Sequence, residues 1–392
     1  MKKILLIALA AALMMTGTVF AAEPGVTEKE VLVGSFIAQS GPYAAIGVPY
    51  ANGIKAYFNW VNKNGGVNGR QIKFIIEDDQ LNAANTTVAV KKLVEQDKVF
   101  ALVGGLGTPG VVATYKYLET NKVPHIYQGA GSGLIAIPPN KYIFPVQPNY
   151  TTEGVLMVKY LAETKGAKTI AVIYRNLDDG KELAASVKAE AAKRGVKVVA
   201  DIPVEATASD MSTQILQLTA ANPDAIVVGL FNPQSASFLK QARGDFKLTK
   251  PTYLMTYSNA DLTVAAGAAG NAVGVEAMAW VSVDFTDPNL PIFKVYQQTF
   301  PGQLPNAFGV AGLTAAEIFV EGLKRAGKNL TREGLVKAME SFEKFTGMVA
   351  VDISYGPYNV NDWTCRLGKQ SMYVLRFTKD NIEVASDWIY LR

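Results

Sequence analysis

The sequence predicts an α/β fold built as two units, each a parallel sheet covered by helices on both faces. Three observations predict it. Short β-rich runs alternate with helical periodicity from Val31 onward. The alternation breaks at a proline-marked passage, Phe144-Pro145-Val146-Gln147-Pro148, and then restarts. The chain has 392 residues, 49% of them apolar, enough for two cores.

In the first unit, residues 31–37 form a β-rich run bounded by turn residues. Residues 50–62 place Ile54, Tyr57, Phe58 and Val61 on one helical face and stop at Asn64-Gly65-Gly66. A strand at 71–76 follows, then a helix at 83–95 with Val90, Leu93 and Val94 on one side, and a strand at 100–103. A helix at 111–121 and a strand at 124–127 complete a βαβαβαβ pattern. The second unit reads as helix 151–165, strand 169–174, helix 179–194, strand 196–202, helix 210–221 with Asp210 as N-cap, strand 225–229, helix 233–243 and strand 253–255. Further helices are expected at 289–300, 307–326 and 332–341, and a strand pair at 371–377 and 382–388.

The N-terminus reads as an export signal. Lys2 and Lys3 precede an unbroken apolar run at 4–15, and Val19-Phe20-Ala21 or Phe20-Ala21-Ala22 supplies small residues before a cut. The stretch to Ala22 approaches the roughly 20 residues that span a bilayer. Thr16-Gly17-Thr18 weakens it, however, and Glu23 follows where a basic stop-transfer cluster would be needed. Residues 1–22 are therefore read as a cleaved signal peptide, and the rest as a protein of the periplasm. The single cysteine, Cys365, permits no internal disulfide and is read as buried and inert. With alanines at 21 and 22, the signal end offers no thiol for a lipid anchor.

Loss of Lys2 and Lys3 takes the formal charge from +4 to +2, and no Lys/Arg run stands out, which argues against a nucleic-acid partner. His125 is the only histidine, so metal sites built on several histidines are excluded. It sits in Val123-Pro124-His125-Ile126-Tyr127 and reads as a structural strand residue. No cofactor or metal is expected.

Parallel sheets place ligands beyond the carboxyl ends of their strands, on loops and helix N-termini. The loops of interest begin at Ser40, Gly104, Gln128, Asn176, Phe231 and Thr256. Gly105-Leu106-Gly107-Thr108-Pro109-Gly110 matches the dinucleotide pattern GxGxxG, but the next strand ends in Tyr127-Gln128 where a ribose-binding acid would stand. It reads instead as a tight loop whose free N–H groups and Thr108 hydroxyl hold a carboxylate. Gly129-Ala130-Gly131-Ser132-Gly133 is a second small-residue loop, open to close backbone approach or simply a turn. Ser237-Phe238-Leu239-Lys240 matches SxxK without its companion motifs and reads as chance. Asp178-Asp179 reads either as helix-start acids or as a carboxylate pair.

Taken together, these loops resemble the leucine/isoleucine/valine-binding family of type I periplasmic binding proteins. The matching stretches are Ser40-Gly41-Pro42-Tyr43-Ala44-Ala45-Ile46-Gly47; Asn62 with Gly65-Gly66-Val67-Asn68-Gly69-Arg70 and Asp78-Asp79; Val123-Pro124-His125-Ile126; and Asp178-Asp179-Gly180-Lys181-Glu182-Leu183. The resemblance implies two Rossmann-like lobes joined by three hinge crossovers. Lobe 1 would comprise 23–146 and 281–350, lobe 2 would comprise 147–280, and 351–392 would return to lobe 2 with the C-terminal strands. It implies a monomer that closes on a ligand between the lobes and hands it to a membrane permease with two ATPase subunits.

Carried onto this chain, the resemblance gives a ligand site of Tyr43, Gly107, Thr108, Gly129, Gly131, Ser132, Asp179, Phe231 and Tyr257. Thr108 falls on a carboxylate-binding hydroxyl position. A second such position falls at Gly131, with Ser132 adjacent. Tyr257 falls where the family places an ammonium-pairing glutamate, and Asp179 where it places a tyrosine. Either Asp179 substitutes for the glutamate and the ligand is a hydrophobic amino acid, or the ligand lacks an ammonium. In the second case Tyr43, Tyr127, Phe231 and Tyr257 suit an aromatic carboxylic acid. A sensory binding protein and, more remotely, an exported hydrolase using Asp178 or Asp179 are the alternative readings.

Overall fold

A computed structural model of the chain describes residues 23–126, 129–205, 207–281, 287 and 289–391; the expected signal peptide, residues 1–22, lies outside them. In the first unit, β1 (Glu30–Phe36), α1 (Ala44–Lys63), β2 (Gln71–Glu77), α2 (Ala83–Lys91), β3 (Ala101–Val103), α3 (Thr108–Thr120), β4 (His125–Ile126) and β5 (Ile143–Phe144) follow in sequence. The five strands lie in the order β2-β1-β3-β4-β5, every pairing parallel. Alternation along β1 splits its side chains between the two faces. Val31 and Val33 join Ile54, Tyr57 and Phe58 of α1, while Phe36 joins Val90, Leu93, Val111 and Leu118 on the other side.

The second unit runs α4 (Tyr150–Glu163), β6 (Thr169–Arg175), α5 (Asp178–Lys193), β7 (Lys197–Val204), α6 (Ser212–Ala221), β8 (Ala225–Gly229), α7 (Gln234–Leu239), β9 (Thr252–Met255), α8 (Leu262–Gly267) and β10 (Glu276–Ala279). Its parallel strands take the equivalent order, β7-β6-β8-β9-β10. The chain then returns to the first unit as α9 (Pro291–Gln297), α10 (Ala307–Ala326) and α11 (Arg332–Met339), with α9 and α10 packed on α1. A small ladder of β11 (Ile353–Ser354) and β12 (Gly368–Lys369) leads to β13 (Ser371–Phe377), which joins β10 antiparallel. Both β14 (Ile382–Val384) and β15 (Ile389–Tyr390) pair with β13.

The structure corrects several expected boundaries. The first helix starts at Ala44, not at residue 50, and contains Pro49. The helices expected at 83–95 and 233–243 end as α-helix at Lys91 and Leu239 and continue as single wider π-turns. Asp210 stands one residue before the N-cap of α6, which is Met211, although its carboxylate still accepts from Ser212 N at 3.0 Å. Of the strand expected at 382–388 only β14, Ile382–Val384, forms, and a second short strand, β15, begins just beyond it at Ile389. Among the described residues no helix is long and apolar enough to cross a membrane.

Candidate functional site

Both parallel sheets reverse their strand order, between β1 and β3 in the first unit and between β6 and β8 in the second. Loops leaving neighbouring strands at such a point diverge to opposite faces and open a crevice at the carboxyl ends. Tyr43, Thr108, Asp179 and Phe231 follow these four strands.

On the first unit, Asp78 fixes the Ser40 loop by accepting from Gln39 N at 2.8 Å and Ser40 Oγ at 2.6 Å. Tyr43 follows this loop and is 49% exposed. The next loop turns through Gly104, Gly105 and Gly107 at φ +83°, +99° and +89°, values that favour glycine. Gly129 N donates to Gly105 O at 2.6 Å and Gly107 N to Gly129 O at 3.1 Å, which zips the two glycine loops together. Thr108 is half-buried and opens α3, whose N-terminus no side chain caps. Pro109 has no N–H and Val111 N donates to Gly107 O at 3.2 Å, so the Thr108 and Gly110 amides with the Thr108 hydroxyl make the donor set suited to a carboxylate. His125 is buried behind this loop with its ring bonded to Gly104 O, and burial lowers its pKa to about 4.

On the second unit, Asp179 does not pair with Asp178; its carboxylate lies 3.1 Å from Arg175 Nη1. The same guanidinium lies over Phe231, 4.5 Å from the ring centroid, a cation–π arrangement. Phe231 and Tyr257 flank Tyr150, at centroid distances of 6.5 and 6.2 Å. Tyr257 Oη accepts from Gln147 Nε2 at 2.9 Å. Glu153 is wholly buried and accepts from Tyr257 N at 2.7 Å and Thr256 Oγ1 at 2.8 Å. Burial outweighs these two bonds and raises its pKa to about 8. Burial also pushes the Tyr150 hydroxyl up, reinforced by Asp179, Glu153 and Glu182, while its hydrogen bond with Tyr257 works the other way.

The two units meet at the second glycine loop. Tyr150 N donates to Gly131 O at 2.7 Å. A Cβ at Gly131 would run into the Tyr257 hydroxyl and the Tyr150 ring, so the tyrosines fill the volume that a side chain would need there. Ser132 donates to Glu182 Oε2 at 3.1 Å and accepts from Leu134 N at 3.3 Å, so its hydroxyl is already engaged. Burial raises the Glu182 pKa, against bonds from Thr151, Gly133 and Ser132.

The structure thus gathers Gly131, Ser132, Asp179, Phe231 and Tyr257 around Tyr150, Arg175 and Glu182. It ties Gly107 and Thr108 to Gly129 through the zipped loops, and leaves the Tyr43 side chain exposed. Tyr127 lies outside the described residues. Sequence reasoning missed Arg175, Tyr150, Glu153 and Glu182. Glu182 stood within a matching stretch; Arg175 has a local partner in Asp179, four residues on, but its other partner, Phe231, is remote in the chain. Ser237 of the SxxK match donates to Ser209 O at 3.2 Å, an ordinary helix-to-loop bond. Asn62 brackets Ile72 through both backbone groups at 2.8 Å, and Asn68 donates to Leu323 O at 3.0 Å, so this block of the resemblance braces the fold.

A family model described as periplasmic binding protein matches residues 30–381. An amino acid binding protein of Pseudomonas aeruginosa is 23% identical over 214 residues, 55% of this chain and 57% of that one, so the match spans under two thirds of its length. A leucine-, isoleucine-, valine-, threonine- and alanine-binding protein of the same organism is 26% identical over 323 residues, 80% of this chain and 83% of that one. Among solved structures, a fatty acid ABC transporter substrate-binding protein from Thermomonospora curvata shares the fold, with a TM-score of 0.75 at 23% identity over 94% of each chain.

Proposed function

The chain belongs to the periplasmic binding protein family, and on that premise we propose that it captures a small carboxylic acid for an ABC importer. Its role is binding, not catalysis. The ligand's carboxylate is held by Thr108 and the open N-terminus of α3, and its apolar or aromatic body lies against Tyr150, Phe231 and Tyr257. Closure of the two units about their crossovers presents the loaded form to a permease with its ATPase subunits, and the protein acts as a monomer in the periplasm.

The observation that carries the choice of ligand is the Asp179–Arg175 pair at 3.1 Å. Arg175 neutralises the acid that an amino acid's ammonium would need, and a phenol stands at 257. Glu153 is held largely as the neutral acid at pH 7 by burial, which places its pKa at about 8. An unpaired ammonium at such a site is costly, so an ammonium-free acid is favoured. A second reading, a hydrophobic amino acid, draws on Glu182, whose bonding partners are all uncharged, and on the named ligands of the Pseudomonas relative.

The test is a thermal-shift screen of the refolded, ligand-stripped mature chain against aliphatic amino acids and aromatic carboxylic acids. A ligand at 100 times its Kd stabilises the fold by about 2.7 kcal/mol. Stabilisation by aromatic acids alone is expected. Stabilisation by leucine-like amino acids would select the second reading. For whichever panel binds, Thr108→Ala should weaken affinity by roughly 1–3 kcal/mol; unchanged affinity would remove Thr108 from the site.

A further inference from the structure

Glu182 reaches from α5 in the second unit to the loop between β4 and β5 in the first. Its Oε1 accepts from Gly133 N at 2.7 Å and Thr151 Oγ1 at 2.9 Å, and its Oε2 from Ser132 Oγ at 3.1 Å. Two of these three donors belong to the first unit and the third to α4 of the second. The approach depends on glycine: a Cβ at Gly133 would lie 2.6 Å from Glu182 Oε1. Other bonds near this junction, such as Tyr150 N to Gly131 O, join neutral groups. Hydrogen bonds to an ionised carboxylate are roughly twice as strong as neutral ones.

We propose that Glu182 is an interlobe latch that favours the closed arrangement before any ligand arrives and withholds Ser132 from the ligand. The idea rests on the two-lobed capture reading, but concerns the ligand-free protein. A built-in closing contact shifts the resting equilibrium toward the closed form, so that the ligand need supply less of the closing free energy. It also divides the labour between the glycine loops: Ser132 and Gly133 serve the protein's own carboxylate, and the Thr108 loop serves the ligand's.

The experiment is small-angle X-ray scattering of the ligand-stripped mature chain, with no ligand added, for wild type, Glu182→Ala, Glu182→Gln, Ser132→Ala and the Ser132→Ala/Glu182→Ala double variant. Glu182→Ala should raise the radius of gyration, Ser132→Ala should shift it the same way, and the double variant should add little to Glu182→Ala. Glu182→Gln should fall between, because an amide keeps the shape and an acceptor. Identical radii for wild type, Glu182→Gln and Ser132→Ala would overturn the latch, even if Glu182→Ala failed to fold. Because no ligand is present, failure of the thermal-shift panels would bear on the proposed function alone.

Discussion

Glu153 has no exposed surface, yet its carboxyl anchors the backbone of Tyr257 at 2.7 Å. The balance is between burial, which disfavours the ion, and two donors, which favour it; burial wins and sets the pKa at about 8 against an ordinary 4.5. The unfolded chain therefore ionises at a lower pH than the folded one. The stabilisation is fully present below pH 4.5 and is lost as pH rises through 8. Glu153→Gln stays neutral, so wild type should lose about 1–3 kcal/mol relative to this variant between those two pH values, within a limit of about 1.4 kcal/mol per unit. Urea midpoints at the two ends of the window measure this, and a difference independent of pH would show that Glu153 ionises normally. At this scale the sequence was only partly legible. Thr108 was marked by the glycine loop before it and the helix after it. The charge state of the site was not, because it depends on Arg175 folding over Phe231 and on Glu153 being buried beneath Tyr257.

Helices α1 and α10 approach closely because each places glycine at the contact. A Cβ on Gly53 would strike Gly309 O and lie 2.8 Å from Leu313 N, and one on Gly312 would strike Tyr50 O. Since the obstruction is backbone on both sides, no rotamer change relieves it. Gly53→Ala should destabilise by about 1–3 kcal/mol despite alanine's better helix propensity, read as a lower urea midpoint. Equal or higher stability would mean that the helices can separate at little cost. Periodicity was enough to find α10 with both ends correct, since Asn306 caps its start through Gly309 N at 3.0 Å and Gly327 follows its end. The start of α1 was hidden because Gly47 and Pro49 resemble a loop. Strands such as β5, β11 and β12, two residues each, are too short to show a period and exist only through their partners.

The two units are joined by neighbouring segments of chain. Lys369 N donates to Val146 O at 3.0 Å, and Tyr355 Oη to Pro145 O at 2.7 Å, so the passage after β5 and the passage before β13 run side by side. Arg366 lies at this junction with no exposed surface. Its guanidinium pairs with Glu340 at 2.6 Å, donates to Gly356 O, Cys365 O and Lys141 O, and lies 4.6 Å from the centre of the Phe144 ring. One side chain thus ties α11, the end of the first sheet and the crossover together, from partners up to 225 positions away in the chain. No local pattern announces such a role. Removing it leaves Glu340 with only the Tyr358 amide, at 2.9 Å, and takes a donor from three carbonyls; breaking a buried pair from one side costs about 3–5 kcal/mol. Arg366→Met should therefore lower stability by that order, whereas Lys116→Met, on a side chain 79% exposed, should leave the urea midpoint essentially unchanged. Because Arg366 lies at the crossovers and not among the aromatic side chains of the proposed ligand site, the stabilisation added by a saturating ligand should be the same in Arg366→Met as in wild type. A smaller increment would mean that the junction transmits its packing to the proposed ligand site, so that the crossovers help set affinity as well as hold the two units together.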